Sequence, residues 1–256
     1  MIPVALSVQG LIQQQVPYAL YYLASTGPAI SALIVTVLAE GNAGVRHLLG
    51  RVLKWRVEFR YYAFAVLIPM ALFMLAVLLN RVLTGAWPDF SLLGKADYLP
   101  YLGIPGVLGL WFLTYGMGEE IGWRGFALPH LQRNRPAAYA ALWLGLLWAG
   151  WHLPAFFFRD TYMEMGLPGF PMFVVSIVFA SVVFTWLYNS TGGSLWMVIL
   201  FHVVFNWLSV SEAGGPFAAS IMSVPIILWA IYVVRRYGEE NASPVRKQAV
   251  NANVVG

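Results

Sequence analysis

Along the chain, long apolar runs alternate with short polar interruptions. A bilayer core takes about 20 apolar residues per helix, in a range of about 17–25. Eight segments approach that template, roughly 3–25, 28–40, 61–83, 101–131, 137–158, 168–188, 194–210 and 216–235. Gln13, Gln14 and Gln15 weaken the first, and Gly27-Pro28 separates it from a short second. Residues 40–60 are basic and polar, while 84–100 carry the Gly, Pro, Asp and Lys of a loop. Arg133-Asn134-Arg135-Pro136 stops the fourth span. No internal repeat is evident. The pattern predicts an all-α, polytopic transmembrane helix bundle. It places the membrane domain over 1–237, its motif-bearing core over roughly 101–210, and a disordered cytoplasmic tail over 238–256.

Basic residues orient the bundle. Alternation puts 41–60, 132–136, 189–193 and the C-terminal tail on one side. Eleven Lys and Arg residues fall there, from Arg46 to Lys247, against Arg81, Lys95 and Arg159 opposite. Positively charged loops face the cytoplasm, so eight spans predict both termini inside. Asn189-Ser190-Thr191 fits a glycosylation acceptor but lies on that inner side.

Composition agrees. Hydrophobic residues make up 60% of the chain and charged residues 10%. Soluble domains carry about 25% charge, so no large extramembrane domain is expected. The net charge of +4 fits cytoplasmic loops and implies no nucleic-acid partner. The absence of cysteine excludes disulfides, a thiol nucleophile and thiolate metal sites. Met1-Ile2-Pro3 opens without a basic n-region, which argues against a removable signal peptide.

Against this background the ionisable residues within the spans stand out. Of eleven acidic residues, Glu119 and Glu120 alone fall inside spans, as do His152 and His202. A charge at the bilayer centre costs about 2.5–3.5 kcal/mol on insertion scales, so a functional reading is the default. Glu120 and Arg124 are four residues apart and share a helix face, which suits a structural ion pair. Glu119 lies about 100° around that helix. It has no partner there, so it is free to face a cavity as a general base. His202 and Asn206, also four apart, present an imidazole and a carboxamide able to donate to one developing oxyanion. Trp148 sits one turn before His152, and Pro154 distorts the helix just beyond. Blander readings compete. An intramembrane His often only bonds a neighbouring helix, and Gly118-xxx-Gly122 has the spacing of a packing motif.

At these residues the sequence resembles the CPBP family of intramembrane proteases, which includes the type II CAAX-prenyl endopeptidases and bacteriocin-processing or abortive-infection proteins. Glu119, Glu120 and Arg124 match its Glu-Glu-xxx-Arg motif. His152 matches the His of Phe-xxx-His, with Trp148 standing at the Phe position. His202 and Asn206 match His-xxx-Asn. The flanks Gly125-Phe126-Ala127-Leu128-Pro129 and Trp186-Leu187-Tyr188-Asn189 look similar to bacterial members. The resemblance runs from about residue 20 to 235. It implies a prokaryotic cytoplasmic membrane and an endopeptidase acting on peptide or membrane-protein substrates, including lipid-modified ones. The bacterial look of the flanks favours substrates without a prenyl group.

The resemblance also implies roles. Glu119, assisted by His152, activates a water, His202 and Asn206 stabilise the oxyanion, and Glu120 with Arg124 and Trp148 holds the site. No cofactor is expected on this route. Zinc stays open, since Glu119, His152 and His202 form a two-His, one-carboxylate set, although His-Glu-xx-His is absent. Two other classes compete. A proton-coupled transporter would use the same residues as a relay, but would show repeats and matched broken helices. A non-catalytic scaffold or immunity protein would tolerate decay of the motifs, which are intact. Nothing in the sequence fixes an oligomeric state.

Overall fold

In the computed structural model, residues 1–250 are described except 14, 18, 19, 97–101 and 216. Helices dominate, and there is no strand among the described residues. The elements are α1 (Ile2–Val8), α2 (Leu20–Ser25), α3 (Gly27–Gly50), α4 (Phe59–Thr84), α5 (Gly103–Trp111), α6 (Gly118–Glu120), α7 (Leu128–Arg133), α8 (Ala137–His152), α9 (Asp160–Ser190), α10 (Leu195–Ser209) and α11 (Ala218–Asn241). Among the described residues, five helical stretches are long and apolar enough to cross a membrane: Gly27–Gly50, Phe59–Thr84, Ala137–Phe157, Asp160–Ser190 and Ala218–Asn241. α10 is a shorter apolar helix. α5, α6 and α7 form one continuous column with π-helical segments at Phe112–Met117 and Ile121–Ala127. The chain is an all-α membrane helix bundle.

Local sequence sets the breaks. Pro28 sits in the first turn of α3, where its missing N–H costs no helical bond. Gly85, at φ +74°, caps α4 in the left-handed region. α3 kinks at Gly41 and α9 at Gly166, both at positive φ. The second break, followed by Pro168 and Pro171, makes the spanning part of α9 begin near the expected residue 168.

The first expected span does not form. α1 ends at Val8, Gly10 turns the chain at φ +68°, and helix resumes only at Leu20. Gln14, one of the glutamines weakening that span, lies outside the described residues, as do Tyr18 and Ala19. α1 packs instead on the turn Leu153–Phe157, where Gln9 donates to the Phe157 carbonyl at 2.8 Å. This end of the bundle is opposite the one where Lys247 meets the Arg135 carbonyl and Lys54 meets that of Gly192. α1 therefore lies at the end of the bundle opposite Lys54 and Lys247. The basic loops still share one end.

α11 breaks at Gly238, at φ +75°, next to the expected boundary at 237. The tail departs from expectation in that residues after Asn241, up to 250, return to the bundle. Gln132 and Asn189, both fully buried, bond each other at 2.7 Å. Gln132 also donates to the Gln248 carbonyl at 2.8 Å, and Asn189 accepts from the Gln248 N–H at 3.1 Å. Asn189 is thus a structural amide and not a modification site.

Candidate active site

The column α5–α7 carries the acidic pair, and glycines seat it. A side chain on Gly122 would overlap the carbonyl carbon of Pro28, and one on Gly118 would crowd Thr26. This face packs tightly on the start of α3, as its spacing suggested. Gly116 similarly lets Ile199 and Val203 of α10 approach. The two π-helical segments flank Gly118–Glu120 directly, and such insertions re-aim side chains at functional sites.

Glu120 and Arg124 pair as the four-residue spacing predicts. Arg124 Nη1 lies 2.9 and 3.2 Å from the two Glu120 oxygens, and both side chains are wholly buried. The guanidinium is clamped between the rings of Trp148 and Phe184, with centroids 4.3 and 4.4 Å from Cζ. A third group joins them. His202 Nδ1 lies 2.8 Å from Glu120 Oε1. A carboxylate only accepts, so His202 carries its Nδ1 proton and turns Nε2 away from the pair.

Glu119 has a partner that sequence spacing did not reveal. The indole N–H of Trp148, on α8, donates to Glu119 Oε2 at 2.8 Å. The carbonyl of Trp148 accepts from Nδ1 of His152 at 2.7 Å. That bond fixes the tautomer and leaves the Nε2 lone pair of His152 available. The Trp148 ring also stands edge-on to His152 and His202, at 5.9 and 5.5 Å between centroids.

A cavity of about 430 Å³ opens beside these groups. Glu119, Trp148, His152, His202 and Asn206 all line it. Glu120 and Arg124 stand behind His202 and are not among its lining residues. Most of the remaining wall comes from α9, α10 and α11 and is largely apolar, with Met172, Phe173, Ile177, Phe205 and Ile226, and Tyr21, Tyr115 and Arg159 complete it. A polar corner with an apolar trough suits a ligand that is polar at one bond and apolar beside it.

Among the described residues no three His, Cys, Asp or Glu side chains are grouped to hold a metal ion. Sequence reasoning missed Phe184, which walls Arg124 and lies 5.4 Å from the His202 ring. An aromatic residue inside an apolar span carries no mark. It also took Trp148 as a packing wall. The sequence alone does not mark it, because other indole N–H groups, Trp111 and Trp186 among them, are buried without an acceptor among the described residues.

Comparison with known proteins adds to this geometry. Residues 101–208 match the family model described as type II CAAX prenyl endopeptidase, Rce1-like. All seven site residues fall inside that stretch. The CAAX prenyl protease 2 of Methanococcus maripaludis is 24% identical over 192 residues, covering 70% of this chain and 67% of the relative.

Proposed function

We propose, from the similarity of residues 101–208 to the type II CAAX prenyl endopeptidase family, that this chain is a glutamate-type intramembrane endopeptidase. Glu119 is the general base. It takes a proton from a water whose oxygen attacks the scissile carbonyl. The His152 Nε2 lone pair orients that water from the other side. His202 and Asn206 donate to the oxyanion as it forms. The proton held by Glu119 then passes to the departing amine as the C–N bond breaks, leaving a carboxylate and an amine.

The geometry supports the assignment of His202. Its Nδ1 is committed to Glu120, which holds the ring so that Nε2 faces the cavity that Glu119 and Asn206 also line. The reading routes no step through a metal.

The relative's printed name concerns prenylated CAAX substrates, and the apolar wall of the cavity suits a chain carrying aliphatic groups or a lipid. We extend the reading to lipid-modified or membrane-associated polypeptides, cut where they reach the buried corner. The observation that carries it is Glu119, buried yet lining the cavity with one oxygen held by Trp148. The test is hydrolysis of quenched fluorescent peptides, with and without a prenylated C-terminus, by detergent-purified protein beside Glu119→Gln. Activity in wild type and its loss in a folded Glu119→Gln protein is the expected result. Equal rates in both would overturn the mechanism.

A further inference from the structure

A second cavity lies at the basic end of the bundle, away from Glu119. The strap joining α3 to α4 runs across that end and is tied to the start of α10. The Leu195 N–H donates to the Arg51 carbonyl at 3.0 Å, and the Ser194 hydroxyl donates to that of Lys54 at 2.5 Å. Lys54 Nζ donates to the Gly192 carbonyl at 2.7 Å, and the Tyr62 hydroxyl donates to that of Trp55 at 2.6 Å. Between this strap, α4 and the end of α9 the structure leaves a groove of about 620 Å³.

The groove is built for an anion. Lys54 and Arg56 line it, and the acid on its wall, Glu58, is engaged by Arg60 at 2.9 Å. Ser190 lines it too, and among the described residues its buried hydroxyl makes no hydrogen bond. A small rotation would let it donate to an incoming acceptor.

The rim is built for a bilayer. Leu53, Trp55 and Phe59 stand 75%, 54% and 80% exposed on the same strap, at the end where basic loops meet the membrane surface. Trp at that depth sits among head groups, and basic pockets there attract anionic lipids. A free phosphate would satisfy Lys54 and Arg56 but would have no use for Leu53, Trp55 and Phe59.

We propose that the groove of Lys54, Trp55, Arg56, Tyr62 and Ser190 binds the phosphate-bearing head group of an anionic membrane lipid, whose acyl chains lie against Leu53 and Phe59. Through Lys54 the bound lipid braces the turn at Gly192–Ser194, from which α10 springs with His202 and Asn206.

The full chain in a neutral detergent tests this by calorimetric titration with short-chain phosphatidylglycerol, short-chain phosphatidylcholine and inorganic phosphate. Saturable binding of phosphatidylglycerol, with little for the other two, is expected. Lys54 also holds Gly192, so the deciding variants are Arg56→Gln, whose side chain lies over the Trp55 ring, and Ser190→Ala. Each is expected to weaken binding, Arg56→Gln by about fivefold, with the thermal midpoint in the absence of lipid unchanged. Equal binding of both lipids, or wild-type affinity in Arg56→Gln, would overturn the site. Inorganic phosphate binding as tightly as phosphatidylglycerol would overturn the lipid as its occupant.

Discussion

The indole N–H of Trp148 donates to Oε2 of Glu119 at 2.8 Å across two helices, α8 and α6. The same residue accepts from His152 through its carbonyl. Trp148 therefore sets the orientation of both groups assigned to the attacking water, although it does not itself react. A hydrogen bond to a charged group contributes about 1.5–3 kcal/mol. Trp148→Phe keeps an aromatic ring but removes the donor. It is expected to lower kcat by about 10- to 100-fold, with a much smaller change in KM. The carbonyl bond to His152 survives the change. Steady-state kinetics on a cleaved peptide decide the matter, and a loss confined to KM would contradict a positioning role.

The Glu120–Arg124 pair stabilises the fold before it serves chemistry. Glu120→Gln strands Arg124, and Arg124→Met leaves Glu120 with the His202 Nδ1–H alone. Removing one partner of a buried pair costs about 3–5 kcal/mol. Arg124→Met also gives up its stacking between Trp148 and Phe184, so it is expected to be the worse of the two. The double variant is expected to be less destabilised than the sum of the singles. Denaturant unfolding in detergent measures all three, and strict additivity would show that the pair is not coupled.

Gly122 faces the backbone of Pro28 with no room for a methyl group. Gly109, in α5 of the same column, has open space around it. Gly122→Ala is expected to push α3 from the column and destabilise by about 1–3 kcal/mol. Gly109→Ala is expected to be neutral or slightly stabilising, since alanine is the better helix former by about 1 kcal/mol. Thermal midpoints of the two variants test the contrast, and similar values would deny the close approach.

How far the site was legible depends on sequence distance. Glu120–Arg124 was readable because a helix converts a spacing of four into contact. The packing role of Gly118 and Gly122 was readable for the same reason. His202 meeting Glu120 was not, because the bond joins residues 82 apart whose helix order periodicity does not supply. The first span failed for a backbone reason. An apolar average over 3–25 hid the turn at Gly10, and hydropathy carries no record of φ. With that span absent, α1 packs on the turn Leu153–Phe157.

The C-terminal segment shows the same limit from the polar side. Residues 242–250 look unstructured in sequence, yet Gln132 and Asn189 bury two amides whose needs are met in part by the backbone of Gln248. The Val250 N–H also reaches the Pro129 carbonyl at 3.3 Å, tying the segment to the column that carries Glu119. Truncation after Asn241 removes these partners while leaving the Gln132–Asn189 bond and the Asn241 carbonyl in place. The expected loss is about 1–3 kcal/mol, the cost of leaving buried polar groups unsatisfied. Gln248→Ala is expected to stay within about 0.5 kcal/mol of wild type, because its bonds to the bundle run through main-chain atoms and its side chain reaches the Arg246 carbonyl at the surface. Unfolding midpoints of the two variants separate the readings. If truncation is neutral, the segment merely rests on the bundle; if Gln248→Ala equals truncation, its side chain rather than its backbone makes the tie.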